Sequence, residues 1–211
     1  MLNELRDKNM DIKSVAEKAS RSRDILLELL DGLKSKVSTK SEEETIRYNC
    51  FKVLLLISQT QSQVLYPKWD YFVELLDSDN SYHKMSAIQL IASLTKADSQ
   101  NKFEKIFDKY FDLLDDEKLP TAAHLAGNAG KIAKAKPKLQ TRITERLLNI
   151  DKTHHSPEHK DLIKSYAIES LSEYFEETKN KKEITEFVKK QLKSKSPRAR
   201  RQAQKFLEKW F

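Results

Sequence analysis

The sequence predicts an all-α chain of stacked helix pairs, and three observations carry that expectation. Three glycines and five prolines in 211 residues leave few positions for the positive φ that β-hairpins and mixed folds use repeatedly. Apolar residues recur at helical spacing in one segment after another, with polar turns between them. A small residue also returns early in every second helix: Cys50, Ala87, Ala126, Ala167 and Ala203, at intervals of 37, 39, 41 and 36. A period of roughly 40 residues with two helices per unit is that of a helical solenoid, whose units bury their apolar faces against their neighbours. About five pairs are expected in a single domain over residues 1–211, with 1–21 as an N-terminal capping segment and 22–211 as the repeats.

Each element has its own local grounds. Ile12, Val15, Ala16 and Ala19 mark a capping helix, and Ile25, Leu26, Leu29, Leu30 and Leu33 form the stripe of a helix over 23–36. The polar run STKSEEE follows, in which Ser41 and Glu44 have capping-box spacing. The helix over 42–59 is apolar on more than one face through Ile46, Cys50, Phe51, Val53, Leu54 and Ile57, so it should pack on two sides. Pro67 opens a short helix with Trp69, Phe72, Val73 and Leu76 inward, and Asn80 or Ser81 caps its partner, which carries Ala87, Leu90, Ile91 and Leu94.

The third pair begins with Phe103, Phe107, Tyr110, Phe111 and Leu114 and continues, over 120–135, with TAAHLAGNAGKIA. Ala and Gly there replace the large side chains of the other second helices, which suits either close approach of a neighbouring helix or a groove for a ligand or partner backbone. Pro137 opens the fourth pair, which has helices over 137–150 and 158–177. The fifth spans 182–193 and 197–211, the latter announced by Ser196 as N-cap and Pro197 at the first helical position.

Three positions before the small residue stand Arg47, Lys84, Lys164 and Arg200, in the segments RYNC, KMSA, KSYA and RRQA; the third unit has Ala123 instead. This pattern resembles the HEAT repeat, in which a basic residue stands near a small one on the second helix and an aspartate in the turn before it, matched here by Asp77 and Asp79. The resemblance implies a right-handed α-α superhelix with the second helices lining its concave face. It implies no activity.

Composition bounds the function. The lone Cys50, in the apolar run CFKVLLLI, is expected as a buried thiol in a reducing, cytoplasmic compartment. The first ten residues mix both signs of charge, unlike a secretory signal, and no apolar run approaches the ~20 residues of a spanning helix. Charge is uneven, −3 over residues 1–120 and +10 over 121–211, which together give the chain's +7. A charged partner would therefore be recruited by the second half.

The chain has no glycine-rich phosphate loop, no nucleophile elbow and no Cys/His nucleophile arrangement, so no catalytic residue and no cofactor is assigned. His154, His155 and His159 lie in HHSPEH. A helical His155–His159 pair would offer two imidazoles on one face, but no third ligand is evident and no metal is assigned. The candidate binding surface consists of Lys131, Lys134, Lys138, Arg142, Lys164, Lys193, Arg198, Arg200, Arg201 and Lys205; Arg47, Cys50, Lys84, Ala87, Ala126, Ala167 and Ala203 are the structural repeat positions. The expected function is a non-enzymatic adaptor with a protein partner on its concave face. The alternative is a nucleic-acid-binding repeat protein, similar in size and basic balance to HEAT-like DNA alkylation-repair proteins. Their tryptophan-rich motif with an aspartate is not matched, since Trp69–Asp70 and Trp210 stand isolated.

Overall fold

The computed structural model describes residues 2–7, 9–34 and 41–211, with the backbone alone for 2, 3 and 41–43. The Ser41 side chain of the expected 41–44 capping box, the loop before it and the end of the 23–36 helix therefore lie outside what is described. Those described form helices, turns and bends, with no strand among them. They gather into two compact units, Met1–Asp98 and Ser99–Phe211.

The first unit contains α1 (Leu2–Leu5), α2 (Ile12–Arg21), α3 (Arg23–Leu33), α4 (Ser41–Thr60), α5 (Ser62–Leu65), α6 (Trp69–Leu75) and α7 (Ser81–Leu94). Side chains that mimic the missing turn set its helix starts: Asp11 accepts from the backbone N–H of Lys13 and Ser14, Ser22 from Ile25 and Asn80 from Tyr82. Of the two expected caps for α7, Asn80 is the one used. Helix α4 lies at the centre, packed by α2 and α3 and by α7, which is why its apolar residues spread over more than one face. Cys50, Val53, Leu54 and Ile57 are all fully buried. Asn49 donates to the carbonyls of Leu5 and Asp7, both at 2.9 Å, and so ties the N-terminal turn to α4. Pro67 sits in a 3₁₀ turn (Tyr66–Lys68), and α6 starts only at Trp69.

The second unit contains α8 (Lys102–Asp112), α9 (Leu119–Ala135), α10 (Gln140–Leu148), α11 (Pro157–Tyr174), α12 (Lys181–Gln191) and α13 (Pro197–Trp210). Its second helices pack in succession, α9 against α11 and α11 against α13. The small residues of α9 are accounted for by close approach. A Cβ added at Gly130 would stand 2.6 Å from the carbonyl oxygen of Ser170, and one at Gly127 would stand 3.3 Å from the Tyr166 ring. Ser170 Oγ completes the contact by donating to the Ala126 carbonyl at 2.5 Å. On the other layer, Phe103, Phe107, Tyr110 and Phe111 make edge-to-face pairs, such as Phe103–Tyr110 at 5.3 Å, and all four are buried.

Candidate functional site

The exposed edges of α9, α11 and α13 share one side of the second unit: the three helices pack in succession, Lys131 and Lys134 of α9 and Lys209 of α13 all act on Glu173 of α11, and Arg198 and Gln202 of α13 bond Glu169. Lys131 and Lys134 come from α9, Tyr166, Glu169 and Glu173 from α11, and Arg198, Gln202, Lys205 and Lys209 from α13; all of these are exposed or half-buried. A groove of about 300 Å³ runs between α11 and α13, lined by Glu169, Glu173, Gln202, Lys205 and Lys209 among others.

The charges on this side are interleaved. Arg198 donates to Glu169 Oε1 at 2.7 Å and to Ser165 Oγ at 3.0 Å, with its guanidinium 4.2 Å from the centre of the Tyr166 ring. Gln202 donates to the same Glu169 oxygen at 2.5 Å, and the Trp210 indole N–H donates to Ser172 Oγ at 3.0 Å. The carboxyl of Glu173 lies over Gly130. Desolvation there raises it above the ordinary carboxylate value, against the pull of Lys131, Lys134 and Lys209.

Other basic residues of the sequence-derived set lie elsewhere. Arg142 belongs to a first helix, α10, where it pairs with Asp108 of α8 at 3.3 Å and covers the Phe107 ring at 3.9 Å. Its neighbour Arg146 bridges Asp108 and Asp112 at 2.6 and 2.9 Å. Lys164 is buried and pairs with Asp151 at 2.6 Å and Asp161 at 3.6 Å, so it braces its own helix pair. Arg200 donates to the Ser194 and Lys195 carbonyls at 2.7 and 3.0 Å and closes the turn before α13. Lys138 is exposed in the turn before α10, Lys193 after α12, and Arg201 on α13.

Among the repeat positions, Cys50, Ala87, Ala126, Ala167 and Ala203 are fully buried. Burial pushes the Cys50 thiol up to about 12, which leaves it protonated and unreactive near neutrality. Arg47 lies 4.0 Å from the centre of the Tyr82 ring, and Lys84 is half-buried on α7.

The histidines do not form a helical pair with two imidazoles on one face. His155 precedes α11, so it and His159 are not one turn apart on a helix, and their ring centres stand 6.5 Å apart. Asp115, from the 3₁₀ turn Leu113–Asp115, takes the place beside them: its Oδ1 lies 2.6 Å from His154 Nδ1 and accepts from the His154 backbone N–H at 2.7 Å. That backbone hydrogen bond holds the Asp115 carboxyl below its ordinary value. The sequence signal was the acidic turn DDEK, one repeat upstream of the histidines.

No protein-family model matches the chain, and no curated protein does. Among solved structures it is similar to a designed armadillo repeat protein, YIII(Dq)4CqI, with a TM-score of 0.56 over 98% of this chain and 97% of that one, at 15% identity. The chain has a HEAT-like helical-repeat fold. The likeness establishes architecture, and among the described residues no helix is long and apolar enough to cross a membrane.

Proposed function

We propose that the chain is a non-enzymatic repeat adaptor that binds an acidic protein segment on the exposed side of α9, α11 and α13. The observation that carries this reading is the interleaving of charge. Lys131, Lys134, Lys205 and Lys209 give the face a positive balance, yet Glu169 and Glu173 stand between them. A strip that tracks a phosphate backbone gains affinity from each uncompensated Lys or Arg, and two central carboxylates oppose that. Neutralisation of Arg198 by Glu169, and the diversion of Arg142, Lys164 and Arg200 into internal contacts, shorten the strip further. A protein segment can place acidic groups opposite the lysines and polar or basic ones opposite the glutamates, which gives register as well as attraction.

Fluorescence anisotropy tests the reading with a labelled acidic peptide, duplex DNA and duplex RNA at two salt concentrations. The peptide is expected to bind and both duplexes to bind weakly at physiological salt, with K131E/K205E reducing peptide affinity about tenfold. Tight, steeply salt-dependent duplex binding would overturn it in favour of a nucleic-acid-binding repeat protein.

A further inference from the structure

We infer that Asp115, His154 and His155 form a binding site for a zinc-like divalent transition-metal ion, which clips together the turns that end two successive first helices. Asp115 ends the turn after α8, and the two histidines lie in the segment between α10 and α11. One possible ligand atom from each of the three lies within 4.8 Å of the other two. Tetrahedral bonds of about 2.0–2.1 Å place ligand atoms roughly 3.4 Å apart, so closing on an ion requires adjustments of about an ångström. The side chains of His154 and Asp115, 53% and 52% exposed, have the freedom to make them.

The third ligand is held in place. His155 is 5% exposed, and its Nε2 lies 3.1 Å from the Leu114 carbonyl oxygen. A carbonyl only accepts, so Nε2 carries the proton of the neutral ring and Nδ1 keeps the lone pair. With Nε2 bonded to a backbone carbonyl the ring is fixed in tautomer, and Nδ1 is the nitrogen left to bind a metal. The His154 and His155 rings stack at a tilt of 37° with centres 4.4 Å apart, which keeps both imidazoles beside Asp115. Two imidazoles with one carboxylate suit zinc or its neighbours in preference to magnesium or calcium, which favour oxygen. Three protein ligands leave a fourth position for water. This inference is independent of the acidic-peptide reading, since none of the three residues lies on the α9, α11 and α13 face.

The test is isothermal titration of the untagged, chelator-treated full chain with Zn²⁺, with Co²⁺ absorption as a report on geometry. One equivalent of Zn²⁺ is expected to bind at micromolar or lower concentration, to raise the thermal midpoint, and to give tetrahedral Co²⁺ bands. Ca²⁺ and Mg²⁺ are expected to do neither. H154A, at an exposed position, should abolish binding while leaving the helical circular dichroism unchanged, and D115N should weaken it at least tenfold. H155A is a less clean probe because the ring is buried. Absence of Zn²⁺ binding at 100 µM, or binding that survives both H154A and D115N, would overturn the assignment and leave the His154–Asp115 contact a plain hydrogen bond.

Discussion

Glycine serves close helix packing in both units, but what it meets differs. In the first unit, Gly32 of α3 faces α4, and a Cβ there would stand 2.5 Å from Cys50 Sγ, 3.7 Å from Cys50 Cβ and 3.8 Å from Ile46. In the second, a Cβ at Gly130 of α9 would stand 2.6 Å from a backbone oxygen, that of Ser170, and 2.8 Å from Cδ of Glu173. A side-chain limit can be relieved by changing one neighbour; a backbone limit can be relieved only by moving a helix. The same small-residue device therefore fixes the α9–α11 spacing more rigidly than the α3–α4 spacing, and the second unit can hold a face of defined geometry across neighbouring repeats.

The largest expected effect is that of Gly130→Ala. Overpacking costs about 1–3 kcal/mol, and a backbone obstacle places this change at the upper end despite the roughly 1 kcal/mol that Ala gains over Gly in helix propensity. Urea denaturation should show a loss of about 2 kcal/mol, and adding Glu173→Ala should not restore it, because Ser170 O remains. Gly32→Ala should cost less, about 1–2 kcal/mol, and couple strongly to Cys50→Ala, with an interaction energy of at least about 0.5 kcal/mol in a double-mutant cycle. Equal coupling in the two cycles would erase the distinction. Ser170→Ala is smaller again: it removes the buried hydrogen bond to Ala126, worth about 1 kcal/mol. No change in its denaturation midpoint would show that packing alone holds α9 to α11.

Helix pairs, caps and the buried small residues were legible because their signals are local: apolar spacing within a turn or two, an N-cap side chain, a proline at a helix start. The partners of the charged residues were not. Arg142 meets Asp108 and Arg146 meets Asp112, each 34 positions away, Arg198 meets Glu169 at 29 and His154 meets Asp115 at 39. These offsets approach one repeat, the distance at which stacked units touch. A list of lysines and arginines carries no such register, so it merged residues of α10 with those of α9 and α13. Pairing each charge with residues one period away is the physical step that separates a binding face from an internal brace.

The mildest prediction concerns acid sensitivity in the first unit. His83 of α7 is half-buried, with Nδ1 2.9 Å from Ser78 Oγ. Desolvation lowers its proton affinity below the ordinary histidine value, and the nearby charges of Arg47 on α4 and Lys34 after α3 lower it further. Above the unfolded value of about 6.5 the ring is neutral in both states and costs nothing. As pH falls through that value the unfolded chain takes up the proton first, so stability declines until the folded-state value is passed. The denaturation midpoint should drop between pH 7.5 and 5.0, and His83→Gln should reduce that drop while leaving the part due to His124 and His155, which are lowered in the same direction. An identical pH slope for the variant and the parent would mean that α7 yields to the charge without loss, and that the α4–α7 contact is softer than the α9–α11 contact.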